Sequence, residues 1–383
     1  MIIGIDASNI RAGGGVTHLV ELLRHLEPTE IGIEKVIVWA TKGTLAKLPK
    51  RDCIDPICPK TLSYGGLARF AWQGLALASA ARRARCDVLF SPGGTYLGTF
   101  RPFVSISQNM LPFEYTELRR YRGRIRYLKF SLLRLLQGRT FRRSSGMIFL
   151  TDYAQREVTR RTGKLGQPTV KIAHGIGPQF SCPPRPVRQV TDCTTTDPFR
   201  LIYVSNVDAY KHNWIVAEAA SRLQQEGLPI TLDLLGAAYP SSLARLRKVV
   251  SALPDTDSWL NYRNEVPYAD LPLHLQGADL AIFASSCENL PITLLEKMSA
   301  GLPIACSNRG PMPEVLGDLG VYFDPENADD LTRVVGDLIR SATLRQTLAE
   351  GSYAASQDYS WPRCAKQTFS FIAQIARDDH KRA

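Results

Sequence analysis

The sequence predicts an α/β protein with two doubly wound, mostly parallel sheets, and three observations predict it. Short apolar runs alternate with stretches of helical periodicity along the chain, the signature of successive strand–helix–strand units. The alternation breaks once, in a polar Pro- and Thr-containing stretch from Ser181 to Pro198. It then resumes with the same rhythm, so the chain reads as two similar halves joined by a linker. At 383 residues and 44% apolar content, it can build large cores without disulfide or metal staples.

In the first half, Ile2 to Asp6 is a strand, followed by Ala12-Gly13-Gly14-Gly15-Val16 and a helix with apolar residues at Val16, Leu19, Val20, Leu23 and Leu26. Strand, glycine loop, helix is a nucleotide-type first turn, although it is not GxGxxG and no Walker lysine follows. Its glycines let backbone amides approach a phosphate or a sugar, and they serve equally as a tight turn for helix packing. Val36 to Ala40 is the next strand and Gly66 to Arg85 a helix. Strands follow at Asp87 to Phe90, Phe103 to Ser107 (ending in Gln108-Asn109), Met147 to Leu150 and Val170 to Ala173.

One segment of this half departs from ordinary composition. Arg119 to Arg143 holds ten Arg or Lys and no Asp or Glu, with Tyr, Phe, Ile and Leu interleaved. A basic amphipathic helix of this kind fits an anionic membrane surface. A core-packed helix with a solvated basic face, or a contact for a nucleic-acid backbone, gives the same pattern. No recognised nucleic-acid module accompanies it.

The net charge of +11 favours anionic partners. Eight cysteines are scattered with no CxxC pair, and six histidines show no HxxxH or HExxH spacing. This is the usage of reduced thiols in a cytosolic protein, without a zinc site. The N-terminus reads as a strand and not as a signal peptide, and no apolar run is long enough to span a bilayer. The expected location is cytoplasmic.

In the second half, strands are expected at Leu201 to Ser205, Ile230 to Leu235, Asp279 to Ala284, Pro303 to Cys306 and Gly320 to Phe323, and a last amphipathic helix from Trp361 to Ala376. The densest chemistry lies at Cys287-Glu288-Asn289-Leu290-Pro291-Ile292-Thr293-Leu294-Leu295-Glu296, between the Asp279 strand and Gly301. It reads as strand, loop and helix, with Glu288 in the loop and Glu296 in the helix. Amides of Leu290 and Ile292 to Leu294 lie free at the helix start, where an anion is favoured. Lys211, beyond the Leu201 strand, is a plausible phosphate partner, and a carboxylate such as Glu296 suits a ribose diol. An interdomain cleft is the default ligand site.

These residues carry a resemblance. Glu288 and Glu296, with seven residues between them, match the E-x7-E signature of retaining GT-B glycosyltransferases of family 4 (group 1). The block ENLPITLLEKMSAGLPIACSNRGPMPEVLGDLGVYFDPEN resembles that family's donor-binding segment, as do HGIG at 174 to 177, Lys211 after its strand, Gly236, and Trp361 opening the last helix. The resemblance is strong from Leu201 to Phe323 and weaker before it.

It implies the following. Two Rossmann-like domains (1–180 for the acceptor, 200–360 for the nucleotide sugar) flank a linker at 181–199 and face each other across a cleft. Helix 361–383 crosses back to the first. Glu288 contacts donor-sugar hydroxyls, Lys211 the diphosphate and Glu296 the ribose. Gly14 and Gly15 face the phosphates, and Ser205, Asn206, Asn289, Leu290, Ile292 and Thr293 complete the nucleotide-sugar contacts. Asn109 stands with Glu288 and Lys211 in the catalytic set.

The implied activity is transfer from a UDP- or GDP-sugar to a saccharide, lipid-linked if the basic segment meets a membrane, with retention and with no metal or other cofactor. Two departures stand out. No Arg follows the Ser205 strand end, and Gln108-Asn109 replaces the His that many relatives carry there. A nucleotide-sugar epimerase of the same fold, or a non-enzymatic nucleotide-sugar-binding protein, is the alternative reading.

Overall fold

The computed structural model describes residues 1–11, 13–123 and 125–381. Ala12 of the glycine run, Arg124 of the basic segment, and Arg382 and Ala383 lie outside the described residues. The chain divides into two units, one of residues 1–175 with 359–383 and one of residues 176–358.

The first unit holds seven strands: β1 (Ile2–Asp6), β2 (Lys35–Trp39), β3 (Ile54–Ile57), β4 (Val88–Ser91), β5 (Phe103–Ile106), β6 (Gly146–Phe149) and β7 (Thr169–Lys171). They pair in the order β3-β2-β1-β4-β5-β6-β7, every pair parallel. Strand β3 is absent from the expected set because Asp55 and Pro56 sit inside it. It is an edge strand, the one place in a sheet where a proline is tolerated. The expected Gly66–Arg85 helix is two helices, Gly66–Leu75 and Leu77–Arg83, broken at Ala76.

The Trp361–His380 helix belongs to this unit. Ser360 caps it by accepting from the Arg363 amide, and it buries Phe369, Ile372, Ala373 and Ala376 against the Gly14–Arg24 helix and strands β4, β5 and β6. Each such apolar side chain contributes about 1.5–3 kcal/mol of burial when large. Lys366 pairs with Glu30 at 2.9 Å and Arg377 donates to the Ile31 carbonyl at 2.8 Å, fixing the outer edge of the helix.

The second unit holds β8 (Phe199–Val204), β9 (Ile230–Leu235), β10 (Leu260–Arg263), β11 (Leu280–Phe283), β12 (Ile304–Ser307) and β13 (Val321–Phe323), in the order β10-β9-β8-β11-β12-β13. All pairs are again parallel. Its core gathers Leu201, Tyr203, Trp214, Leu232, Leu280, Phe323, Val334 and Ile339. Parallel strands covered on both faces need continuous apolar runs, and this is why they stand out in the sequence.

Residues 181–199 do not form a free linker. They lie within the second unit, where the Cys182 amide bonds to the Ser299 carbonyl at 2.9 Å. The segment closes on Gly301, whose φ of +64° leaves no room for a side chain. A Cβ there would stand 2.7 Å from the Cys182 carbonyl oxygen and the Pro184 nitrogen. No described helix is long and apolar enough to cross a membrane.

The basic segment starts at the end of a short helix, Tyr115–Arg119, and holds a longer one, Ile125–Arg143. Its burial differs from a simple core-facing pattern. Gln137, Gly138, Thr140 and Phe141 are buried near the C-terminal end, whereas Ile125, Leu128, Leu132 and Leu135 are exposed, from 56% to 84%. Their spacing of three and four residues puts these four on one outward stripe.

Candidate active site

In each sheet the strand order reverses once, between β1 and β4 and between β8 and β11. Loops leaving the carboxyl ends of the two strands at such a switch point diverge and open a crevice, the standard ligand position in open α/β sheets. In the second unit these are the loop after β8, with Ser205, Asn206 and Lys211, and the loop after β11, with Glu288 and Asn289. Residues 77 apart in the chain thus meet. The Ser286 amide donates to the Tyr210 carbonyl at 2.9 Å, His212 Nε2 and Ser286 Oγ lie 2.9 Å apart, and Tyr203 donates to the Lys211 carbonyl at 2.7 Å.

The side chains of Lys211 and Glu288 form a direct ion pair, Nζ to Oε1, with 13% and 17% of each exposed. The Lys211 ammonium also stands over the Phe283 ring, 5.9 Å from its centre. Ser205 is buried and turns its hydroxyl to the Asn206 carbonyl at 2.8 Å, while Asn206 is exposed.

After Glu288 the chain enters the Ile292–Ser299 helix through Pro291. The proline is the N-cap residue and not the first helical one, with ψ at 88°. Its carbonyl accepts from Leu294 at 2.9 Å and Leu295 at 3.2 Å. The Leu294 amide is therefore engaged, and the first-turn amides without an intrahelical partner are those of Ile292 and Thr293. Asn289 and Leu290 are buried.

Glu296 is 3% exposed and accepts from the Tyr268 hydroxyl at 2.8 Å. Burial pushes its pKa up to about 7, against the opposing pulls of the Tyr268 hydrogen bond and of Lys297. Lys297 is wholly buried, donates to the Thr293 carbonyl at 3.1 Å and lies 5.4 Å from the Phe283 ring centre. Burial lowers its pKa to about 8. Sequence reasoning missed Lys297 because one position in a helix does not announce its burial. The helical spacing of Leu294, Leu295 and Met298 was the only signal for that face.

In the first unit, Gly13 is the N-cap of the Gly14–Arg24 helix at φ +67°, a conformation that glycine adopts freely. Gly14 and Gly15 are its first helical residues. Asn109 and Gln108, adjacent just past the end of β5, make different contacts. Asn109 is exposed, and its Oδ1 accepts from the Leu111 amide at 3.1 Å. Gln108 packs at the Gly14–Arg24 helix: its Oε1 would lie 3.4 Å from a Cβ on Gly15, and its Nε2 lies 2.6 Å from His18 Nδ1. An amide nitrogen only donates, so His18 Nδ1 accepts and the proton sits on Nε2.

His18 is held by stacking on His174, with ring centres 4.4 Å apart, and His174 in turn stacks on Trp361 at 5.5 Å. Burial lowers the pKa of both histidines, that of His174 to about 3, so both are neutral at physiological pH. Of the two amides in place of the histidine, Gln108 is the one that reaches the first helix. The signal was His18, one turn into the first helix.

Residues 194–355 match the family model of glycosyl transferases group 1. The second unit is a group 1 glycosyltransferase domain. Among curated proteins the chain is similar to O-antigen chain mannosyltransferase B of Escherichia coli, 31% identical over 114 residues that cover 30% of each protein. The match spans less than a third of that relative's length. Among solved structures it is similar to Anabaena Alr3699/HepE in complex with UDP (TM-score 0.69, 16% identity, 97% of this chain and 99% of that one). It is also similar to sucrose-phosphate synthase from Thermosynechococcus elongatus (TM-score 0.77, 14% identity, 100% of both). These likenesses show the fold of the whole chain, which is GT-B.

Proposed function

We propose that this group 1 protein is a retaining glycosyltransferase that needs no metal and moves a sugar from a UDP- or GDP-sugar to a saccharide acceptor. One observation carries the reading. Lys211 pairs with Glu288 at the switch point of a group 1 domain, and four residues after Glu288 begins the helix whose first amides, those of Ile292 and Thr293, have no intrahelical partner.

The chemistry follows from this arrangement. As the bond between the sugar and the diphosphate breaks, negative charge grows on the leaving oxygens. Fixed amides and the Lys211 ammonium meet that charge without reorganisation, the task a divalent ion performs elsewhere. Glu288 accepts hydrogen bonds from sugar hydroxyls and Glu296 accepts from the ribose diol. An ionised carboxylate is acceptor-only and suits paired hydroxyls. The similarity to a mannosyltransferase of O-antigen chains supports a hexosyl donor and a role in cell-surface polysaccharide or glycolipid assembly.

A lipid-linked acceptor fits the outward stripe Ile125, Leu128, Leu132 and Leu135 with basic residues on its flanks. Apolar residues would enter an anionic bilayer while the cations meet its headgroups, placing the protein at the cytoplasmic membrane face. Cosedimentation with anionic vesicles that falls when Leu128 and Leu132 become Ser supports this contact, and unchanged cosedimentation refutes it.

For the reaction, the protein is incubated with a panel of UDP- and GDP-sugars and release of nucleoside diphosphate is followed. Release with at least one donor, lost in Glu288→Ala, is the expected result. Binding of a donor without turnover would leave a nucleotide-sugar-binding protein and overturn the proposal.

A further inference from the structure

Lys297 has no surface and no solubility role, yet a charged group is rarely buried without a task. Removing an ammonium from water is expensive, and here it donates one hydrogen bond, to the Thr293 carbonyl at 3.1 Å, and stands over the face of Phe283. Helical side chains lean toward the N-terminus of their own helix. The ammonium accordingly sits one turn back from Lys297, beneath Thr293, whose amide is one of the two free donors of the first turn. Lys211 flanks the same Phe283 ring at 5.9 Å.

Four charged or ionisable groups act on Lys297: Glu296 and Glu288 favour its charge, Lys211 opposes it, and the buried Cys306 thiol lies close by. Two ammonium groups and two open amides thus converge on one short segment, whose neighbouring loop lacks any arginine. We propose that Lys297 is a second, buried cation of the diphosphate site, acting through the field it adds beneath the Ile292–Ser299 helix start and not by touching the ligand. This rests on the nucleotide-sugar reading above. It makes Lys297 a positioning residue for the anion, in the place where a surface arginine would otherwise serve.

The decisive variant is Lys297→Met, which keeps the length and volume and removes the charge. Removing one charge of a buried pair can cost stability, and here Glu296 is left behind, so the thermal midpoint reports only whether the variant is folded. Affinity for the nucleoside diphosphate should fall on the order of tenfold, because a charge in a water-poor setting is weakly screened. The comparison of nucleoside with diphosphate separates an electrostatic role from a structural one. Calorimetry compares the free nucleoside with its diphosphate, in the uridine or guanosine series according to which the wild type binds.

A loss confined to the diphosphate supports the proposal. An equal loss for the nucleoside means that Lys297 works through Glu296, and it overturns the proposal. So does an unchanged diphosphate affinity, or a wild type that binds neither diphosphate. If the wild type binds diphosphate but transfers no sugar, the transferase reading fails while this comparison still decides the role of Lys297.

Discussion

Glu296 offers a pH test whose sign and size follow from its surroundings. Its carboxyl is buried and its pKa stands near 7, so protonation competes with ribose binding in the neutral range. If only the carboxylate accepts the diol, apparent affinity scales with the ionised fraction. That fraction falls about tenfold between pH 8 and pH 6, a loss of about 1.4 kcal/mol. Lys297, near 8, gains charge over the same window and opposes the loss by at most about twofold. The net expectation is about five- to tenfold weaker binding at pH 6 than at pH 8.

The ligand must be a nucleotide sugar. A free nucleoside diphosphate titrates its terminal phosphate near pH 6 and would mask the effect. Isothermal titration at the two pH values, in wild type and in Glu296→Gln, is the assay. The variant should bind more weakly at pH 8 and lose the weakening toward pH 6. Equal wild-type affinity at both pH values, or the same slope in the Gln variant, would refute the assignment of Glu296 to the ribose.

The same group contributes to stability. Its folded pKa lies above the unfolded value, so the stabilisation is fully present below about pH 4.5 and is lost as pH rises through about 7. Chemical denaturation should therefore show Glu296→Gln gaining on the wild type between pH 5 and pH 8. In the first unit, Gln108→Ala should slow transfer about three- to tenfold by loss of an oriented hydrogen bond. Asn109→Ala should stay within about twofold of wild type, and steady-state kinetics decide between them. Gly301→Ala must place a Cβ 2.7 Å from two backbone atoms at φ +64°. It should destabilise the second unit by about 2 kcal/mol or more, read as a lower denaturation midpoint.

The sheets were legible because parallel strands covered on both faces must be apolar without interruption. Strands β2, β4, β6, β8, β11 and β12, each with an unbroken run of three or more apolar residues, announce themselves in this way. Strand β3 was not legible, since an edge strand can carry Asp55 and Pro56. The donor-side loop was legible because glutamate, proline and a helical stripe occur there in a fixed order. The convergence of Lys211 and Glu288 on one site was expected from the resemblance, but their direct ion pair was not, because nothing in either stretch states which side chains will touch.

Nor could local sequence separate Gln108 from Asn109. The two are adjacent at a strand end, and only His18 on another element shows that Gln108 reaches the first helix. The polar stretch 181–199 misled for a related reason. Prolines and threonines break periodicity whether a segment is free or, as here, laid against Gly301 and Ser299.

The central claim, that the start of the Ile292–Ser299 helix holds the donor diphosphate, is tested most directly by deleting one backbone donor. Ile292 is the first helical residue, its amide has no intrahelical partner, and Pro291 before it is already outside the helical region. Proline at this position preserves the helix while removing the N–H, and Ile292→Ala controls for the lost side chain. Calorimetric titration with the nucleoside diphosphate should show Ile292→Pro binding about 10- to 100-fold more weakly than Ile292→Ala, the value of one hydrogen bond to a charged group, at a similar thermal midpoint. Equal affinity of the two variants would contradict the account.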